Sequence, residues 1–228
     1  MKKAAFALAV LLCVCVGSQA FAAWIDETVA GTGDQGTYAS LALDSNDIPH
    51  VAWYDGSNAR LKYAYRDFDG WHETVIDSGN VGQYTSIAIN PVTNDPAIAY
   101  FEQDDGYPKY AWYDGSWNTE RITWGNDDDV EGAYTDLAFT SSGVPYVAYH
   151  YDNGAFRTVG VNVVWKTGSS WNGHRLDYFT FGFGAIGIDN AITMDSTDYP
   201  QIAYHDNTIG AQNQKFGWLD GSGWHTES

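Results

Sequence analysis

The sequence predicts an all-β fold, a β-propeller of four-stranded antiparallel blades, and three observations carry that reading. Four kinds of short segment recur in one order, and the set occurs four times along the chain. Each segment alternates, is rich in Val, Ile, Tyr and Trp, and is bounded by Gly, Asp, Asn or Pro, which is the pattern of strands. No stretch repeats apolar residues with helical spacing, so helix content is expected to be close to nil.

Strand a reads Tyr38-Ala-Ser-Leu-Ala-Leu-Asp44, Tyr84-Thr-Ser-Ile-Ala-Ile-Asn90, Tyr134-Thr-Asp-Leu-Ala-Phe-Thr140 and, more loosely, Asp189-Asn-Ala-Ile-Thr-Met-Asp195. Strand b opens on proline: Pro49-His-Val-Ala-Trp-Tyr-Asp55, Pro96-Ala-Ile-Ala-Tyr-Phe-Glu102, Pro145-Tyr-Val-Ala-Tyr-His-Tyr151 and Pro200-Gln-Ile-Ala-Tyr-His-Asp206. Strand c is Lys62-Tyr-Ala-Tyr65, Lys109-Tyr-Ala-Trp112, Asn162-Val-Val-Trp165 and Lys215-Phe-Gly-Trp218, and strand d starts at Trp71, Trp117, Trp171 and Trp224. A surplus copy of strand d, Trp24-Ile-Asp-Glu-Thr-Val29, precedes the first unit. The expected blades are 36–78, 83–124, 133–178 and 189–228, with an extra strand at 24–29. A lone unit has two apolar faces that only neighbouring units can cover.

Spacing between these anchors separates two sides of the disc. From the end of strand a to the proline of strand b the separations are 5, 6, 5 and 5, and from the strand c aromatic to the strand d Trp they are 6, 5, 6 and 6. Across the b-c connection they are 10, 10, 14 and 12, and across d-a 13, 17 and 18. The variable b-c and d-a connections share one face, which is the expected functional surface. Blade number is open. Either the surplus strand reinforces a four-bladed disc, or the chain is a partial array. We expect the partial array, whose exposed blade edges would favour a homo-oligomer.

Residues 1–22 read as a secretory signal: Lys2 and Lys3, an apolar stretch Ala4 to Val16, and an Ala20-Phe21-Ala22 cleavage site. Both cysteines, Cys13 and Cys15, lie inside it, so the domain from 23 to 228 is expected to fold without disulfides in a secreted or periplasmic location. No membrane insertion is expected once the leader is removed. With 29 acidic against 11 basic residues and a net charge of −18, nucleic acid is an improbable partner, because phosphate binding depends on basic side chains.

These repeats resemble secreted bacterial β-propeller proteins whose units read Y-x-S-L-A-L-D, P-x-V-A-Y-Y-D, L-K-Y-A-Y and D-G-x-x-W-x-x-E-x-V, and more distantly sialidase and tachylectin-type blades. The resemblance implies sugar recognition. The sialidase Asp-box S-x-D-x-G-x-x-W is not present; Asp69-Gly-Trp71, Asp114-Gly-Ser-Trp117 and Asp220-Gly-Ser-Gly-Trp224 keep only the turn and the Trp. Arg121 and Arg175 fall toward the rim and only Arg60 and Arg157 fall in b-c connections, so the three-arginine clamp of a sialidase is missing. An exported, non-catalytic module for carbohydrate or protein is therefore expected, ahead of a glycoside hydrolase or lyase and of a structural surface protein.

The repeated Trp and Tyr positions fit packing between blades or a stacking platform for sugar rings, and the recurrent Ala52, Ala99, Ala148 and Ala203 let adjacent sheets approach. Asp55, Glu102 and Asp206 end strand b in three blades, with Asp152 just after it in the third. They suit turn capping, or a ring of acids around a hard cation. His150 and His205 share one blade position with Tyr54 and Phe101, which suits packing, a metal pair or a proton relay. Asp104 joins this candidate ligand-binding set. Asp127, Asp128, Asp129 and Glu131 crowd one d-a connection, as a solvated loop or a calcium site. The Phe- and Gly-rich run from Phe179 to Gly187 is expected to plug the channel or to form a patch for a partner.

Overall fold

In the computed structural model, residues 25–124, 132–154, 158–180, 184–210 and 212–227 are described. They form four separate four-stranded sheets, each antiparallel in chain order. Blade 1 comprises β1 Gln35–Leu43, β2 Pro49–Asp55, β3 Arg60–Asp67 and β4 Gly70–Ser78. Blade 2 comprises β5 Val81–Ile89, β6 Pro96–Glu102, β7 Tyr107–Tyr113 and β8 Trp117–Arg121. Blade 3 comprises β9 Asp136–Phe139, β10 Pro145–Asn153, β11 Thr158–Thr167 and β12 Ser170–Thr180. Blade 4 comprises β13 Ile186–Met194, β14 Pro200–Asp206, β15 Asn213–Asp220 and β16 Gly223–Glu227. No helix occurs among the described residues.

Period-two alternation sends one set of side chains from each blade to the preceding blade and the other set to the next. Ile87, Ile98, Tyr100 and Ala111 of blade 2 share a core with Ala52, Leu61 and Tyr63 of blade 1. Leu137, Val147 and Tyr149 of blade 3 meet Ala97, Ala99 and Tyr110 of blade 2, and Ile192, Ile202 and Tyr204 of blade 4 meet Ala148, Val161 and Val163 of blade 3. The alanines let the sheets approach, as their recurrence suggests.

The innermost strands are also stitched through hydrogen bonds. Each carries a residue with left-handed backbone: Tyr38, Tyr84, Tyr134 and Asp189, with φ of 56°, 51°, 55° and 50°. In β1, β5 and β13 this residue sits inside a register shift and follows a glycine two positions earlier. Gly82 also has positive φ, and a Cβ there would lie 2.8 Å from Leu61 Cα of the neighbouring blade, so both conformation and close approach exclude other residues. The residue after each turned-back position donates to the preceding blade: Thr85 to the Tyr38 carbonyl, Thr135 to Tyr84, and Asn190 to Tyr134. The next residue accepts from the following blade: Ser40 from the Ile87 amide at 3.1 Å, Ser86 from Leu137 at 3.1 Å, and Asp136 from Ile192 at 2.7 Å. At the two ends of the series these positions are Ala39 and Ala191, which cannot extend it.

The array is open. Among the described residues, packing joins blade 1 to 2, 2 to 3 and 3 to 4, with no extensive packing between blades 4 and 1. Leu41 and Leu43 of β1 are 62% and 56% exposed, whereas the equivalents of Leu41 in later blades, Ile87, Leu137 and Ile192, are 5%, 6% and 8% exposed.

Two expectations need correction. The segment expected as a strand at 24–29 is not one over its described residues, 25–29, because no neighbouring strand is present to form a ladder with it. Side chains hold it instead: Glu27 accepts from Arg66 Nε at 2.6 Å and from Trp71 Nε1 at 3.1 Å. The spread in anchor spacing is also partly strand and not only loop. The b-c connections are 56–59, 103–106, 154–157 and 207–212, and blade 3 absorbs its extra length by continuing the ladder through Tyr151↔Gly160, Asp152↔Val159 and Asn153↔Thr158. Of the d-a connections, 79–80 and 181–185 are short and only 122–135 is long.

Ser86 accepts the Leu137 amide and donates to Asp136 at 2.6 Å, so Ser86→Ala leaves two polar partners stranded between blades. The expected cost is about 2 kcal/mol, or a Tm lower by roughly 4–8 °C in thermal denaturation. Ala191→Ser, at the same position of blade 4 with no following strand, should leave Tm within about 2 °C.

Candidate functional site

Conserving the blade face does not conserve the clasps between blades, and the difference opens a site. In the outer part of the interface between blades 2 and 3, Glu120 accepts from Trp171 Nε1 at 2.7 Å and pairs with Lys166 Nζ at 2.7 Å. The ammonium of Lys166 lies 4.3 Å from the Trp112 ring and 5.8 Å from Tyr110, which fills the groove between the blades. A residual cleft of about 280 Å³ remains over Gly143, Val144 and Pro145. At the interface between blades 1 and 2, the positions of Glu120, Lys166 and Trp171 are held by Thr74, Tyr113 and Trp117. No ion pair can form there, and a cleft of about 360 Å³ opens instead.

Its walls are aromatic. Trp117 meets Tyr63 edge-on at 4.8 Å and Tyr113 at 5.8 Å, and Tyr65 continues the surface, stacked on His72 at 4.9 Å. His50, Thr74, Asn94 and Asp95 supply polar groups. Asn94 is held by the turn of the neighbouring blade, accepting from the Ser45 amide at 2.8 Å and donating to Asp44 at 3.1 Å. His50 Nδ1 lies 2.5 Å from the Tyr63 hydroxyl, and its buried Nε2 has no hydrogen-bond partner in the protein. Burial pushes the His50 imidazole below its ordinary value, opposed by the Asp44 carboxylate, and burial pushes the Tyr63 phenol up. Both are therefore neutral at pH 7. An aromatic wall edged by neutral groups and the Asp95 carboxylate suits a ligand with apolar faces and a hydrogen-bonding rim.

A second aromatic feature stands at the axis, toward the b-c and d-a side. The Tyr84 ring lies 4.6 Å from Tyr38 and 4.3 Å from Tyr134, and these rings border a cleft of about 200 Å³ with Asp189 and Asn190. The ring contacts and the carbonyl stitches account for this ladder as part of the blade joint.

The acids expected at the b-c side are engaged within the fold. Asp55 is fully buried and accepts from the Asn58 amide and side chain and from Arg60 Nε at 2.9 Å. Burial pushes its carboxyl up, but these hydrogen bonds, with one from Gln35, outweigh it and hold it below the usual carboxylate range. Asp206 accepts from Thr208 N and Oγ1 and pairs with Lys215 at 2.9 Å, and here too hydrogen bonds and the ammonium outweigh burial. Glu102 lies 3.4 Å from Arg121 Nε and 3.9 Å from Lys109 Nζ, and Asp104 accepts from Asn80 at 2.6 Å. Asp152 lies in β10 opposite Val159. His150 is buried, and its Nδ1 donates to the Ile186 carbonyl at 2.6 Å, which places the ring proton on that nitrogen. His205 is half-buried in β14, opposite Gln214 and Ile188.

Among the described residues, no three of His, Cys, Asp or Glu gather as a metal-holding group. Asp127, Asp128, Asp129 and Glu131 lie outside the described residues. Of the Phe-rich run, Phe179 ends β12 at 43% exposure, while Phe181 and Phe183 lie outside the described residues. The cleft residues His50, Thr74, Asn94 and Tyr113 were not singled out from sequence. The available signal was the pairwise loss of the acid and the cation when blades 1 and 2 are compared with blades 2 and 3.

No family model matches the chain. A stretch of 110 residues, 42% of this chain, is 31% identical to the cuticle-degrading serine protease of Arthrobotrys oligospora, and covers 27% of it. The chain thus spans about a quarter of the length of the curated relatives it matches. Among solved structures, the α-L-arabinanase of Penicillium chrysogenum, complexed with arabinobiose, aligns with a TM-score of 0.59 at 11% identity over 84% of this chain and 62% of that one. The fucose-specific lectin of Aleuria aurantia aligns with a TM-score of 0.52 at 14% identity over 83% of this chain and 62% of that one. At such identities the likeness is one of fold, and that fold is the propeller.

The lowered His50 value has a consequence for stability. Protons prefer the unfolded chain, where the imidazole titrates near 6.5, so the contribution of neutral His50 is complete above that pH and declines as pH falls toward the folded value. His174, lowered by burial and stacked on Trp224, acts in the same sense. Melting temperatures measured from about pH 7.5 to about pH 5 should fall, and His50→Gln should flatten that slope.

Proposed function

We propose that this protein is an exported, non-catalytic carbohydrate-binding propeller, and that it takes a neutral sugar ring in the cleft between blades 1 and 2. The observation that carries this reading is the replacement of the Glu120–Lys166 clasp by Thr74 and Tyr113, which leaves Trp117 with open space before it. A sugar presents apolar C–H faces to aromatic rings and hydroxyls to groups such as Asn94, Asp95 and Thr74. The lectin and arabinanase likenesses support a carbohydrate as the kind of ligand, while the leader supports export.

At the opposite side, Asp55 and Asp206 cap turns and pair with cations, and His150 is buried and donates to a backbone carbonyl, roles that need no ligand. A non-catalytic reading fits that pattern. A protein ligand or a hydrolysed glycan are the competing outcomes of the same measurements.

Neutral oligosaccharides screened on an array, followed by calorimetry, test the proposal. Trp117→Ala should weaken binding about thirtyfold or more, as expected when a central aromatic anchor is truncated. The double variant Thr74→Glu with Tyr113→Lys should rebuild the clasp, abolish binding and leave Tm unchanged or higher. Asp206→Asn should lower Tm without changing affinity. Release of shortened sugars by the unmodified protein, with loss of release in Asp206→Asn or His150→Ala, would instead establish a hydrolase.

A further inference from the structure

The tyrosine ladder at the axis ends on a side chain that the blade joint does not use. Tyr38, Tyr84 and Tyr134 are its first rungs, and Asp189 takes the next with the same left-handed backbone, φ 50°. A ring from strand b of its own blade backs each tyrosine: Tyr54 at 6.5 Å from Tyr38, Phe101 at 6.1 Å from Tyr84 and His150 at 6.2 Å from Tyr134. The rungs are thus held in place before any ligand arrives. At the joint with blade 4 the stitch runs from Asn190 to the Tyr134 carbonyl, without the Asp189 side chain. Aspartate adopts this backbone at less cost than tyrosine, which explains why an acid is tolerated there. Its surroundings show what it can do.

The wall of this cleft of about 200 Å³ offers acceptors and ring faces, while its donors are committed. Asn190 uses both Nδ2 protons, on the Tyr134 and Gly187 carbonyls at 2.7 Å each, and its buried Oδ1 has no partner in the protein. The Thr85 and Thr135 hydroxyls donate to the Tyr38 and Tyr84 carbonyls. Burial, then hydrogen bonds with the Tyr134 and Tyr38 side chains, push the Tyr84 phenol up, so its ring is neutral. Asp189 is exposed, and no Lys or Arg is among the residues that line the cleft.

We propose that this axial cleft is a second binding site, for a primary ammonium group on a slim alkyl stem. Neutral tyrosine faces attract such a cation, and the Asp189 carboxylate supplies the opposite charge. An ammonium carries donors and no acceptor, so it answers Asp189 and the unpaired Asn190 oxygen together. Other ligands suit the wall less. A hard metal ion needs more oxygen ligands, and among the described residues no three of His, Cys, Asp or Glu gather. A sugar hydroxyl must accept as well as donate, and the donors here are taken. An anion meets Asp189 in a chain of net charge −18.

Calorimetric titration at low ionic strength tests the site, with butylammonium as probe and 1-butanol as its neutral counterpart. Butylammonium should saturate a single site per chain, and 1-butanol should not bind. Asp189→Asn keeps the side-chain shape and a residue that tolerates the left-handed backbone, and should weaken binding about tenfold. Tyr84→Phe should retain binding, because the ring face and not the hydroxyl holds the cation, whereas Tyr84→Leu should lose it, with Tm measured alongside to show that the variant folds. Asp47→Asn, an exposed acid on the a-b side, should change nothing. A capped Gly-Lys-Gly peptide distinguishes the sources: tighter binding than butylammonium identifies a lysine side chain as the ligand, weaker binding a free amine. Absence of saturable binding, several weak sites indifferent to Asp189→Asn, or equal binding of 1-butanol would overturn the proposal. The site lies on the opposite side from the Trp117 cleft, so Trp117→Ala should leave butylammonium affinity unchanged, Asp189→Asn should leave oligosaccharide affinity unchanged, and either reading can fail alone.

Discussion

The structure depends on sheets that cannot cover their own faces. Every blade presents apolar residues on both sides, and hydrogen bonding inside a blade does nothing for them. Lateral burial must therefore be matched by lateral alignment, which the inner strands provide. The left-handed tyrosines turn each inner strand so that its carbonyl meets a hydroxyl or amide of the next blade, while the residue two positions on receives the next backbone amide. A non-glycine residue in this conformation costs free energy. Its recurrence in four blades shows that the joint needs the turn at each inner strand. Ala39 and Ala191 carry no side-chain group for the stitch on the sides where no neighbouring blade is described.

Most of the fold was legible because it repeats. A strand read once is ambiguous, but four occurrences of the same alternation, proline and tryptophan are not. The legibility stopped where a property belongs to a pair of blades. Trp117 and Trp171 look alike in sequence, and each meets a strand c tyrosine edge-on, Tyr63 and Tyr110 respectively. Their surroundings differ through Thr74 and Tyr113, residues unremarkable until set against Glu120 and Lys166. The surplus segment at 24–29 was recognisable as strand d by its residues, yet a strand exists only where a partner accepts its hydrogen bonds. Anchor spacing misled for a related reason: extra residues in blade 3 extended a ladder, which a count between anchors registers as loop.

The acidic composition takes on a different meaning once the few cations are located. Arg60, Lys62, Arg66, Lys109, Lys166 and Lys215 all pair with carboxylates inside a blade or across a joint. Asp77 binds Tyr100 and Lys109 of the next blade, and Asp177 repeats this with Tyr204 and Lys215. These partly buried pairs are screened less by salt than exposed ones. Those six cations are thus committed to the scaffold, in a chain whose net charge is −18. A strongly acidic chain repels anionic polymers.

The clasps alternate along the array, and the alternation explains why a cleft falls where it does. Outer clasps, with Glu27 or Glu120 as acid, precede blades 1 and 3. Inner clasps, with Asp77 or Asp177, precede blades 2 and 4. Each interface is held by one or the other. Where the inner clasp bears the joint, the outer positions are released from it, and between blades 1 and 2 they become Thr74 and Tyr113 beside a free Trp117 edge. Between blades 3 and 4 the same release is filled by His174 stacked on Trp224 at 4.9 Å. The groove thus arises without loosening the array, because the ion pair at that joint is made elsewhere along the same strands, by Asp77 and Lys109.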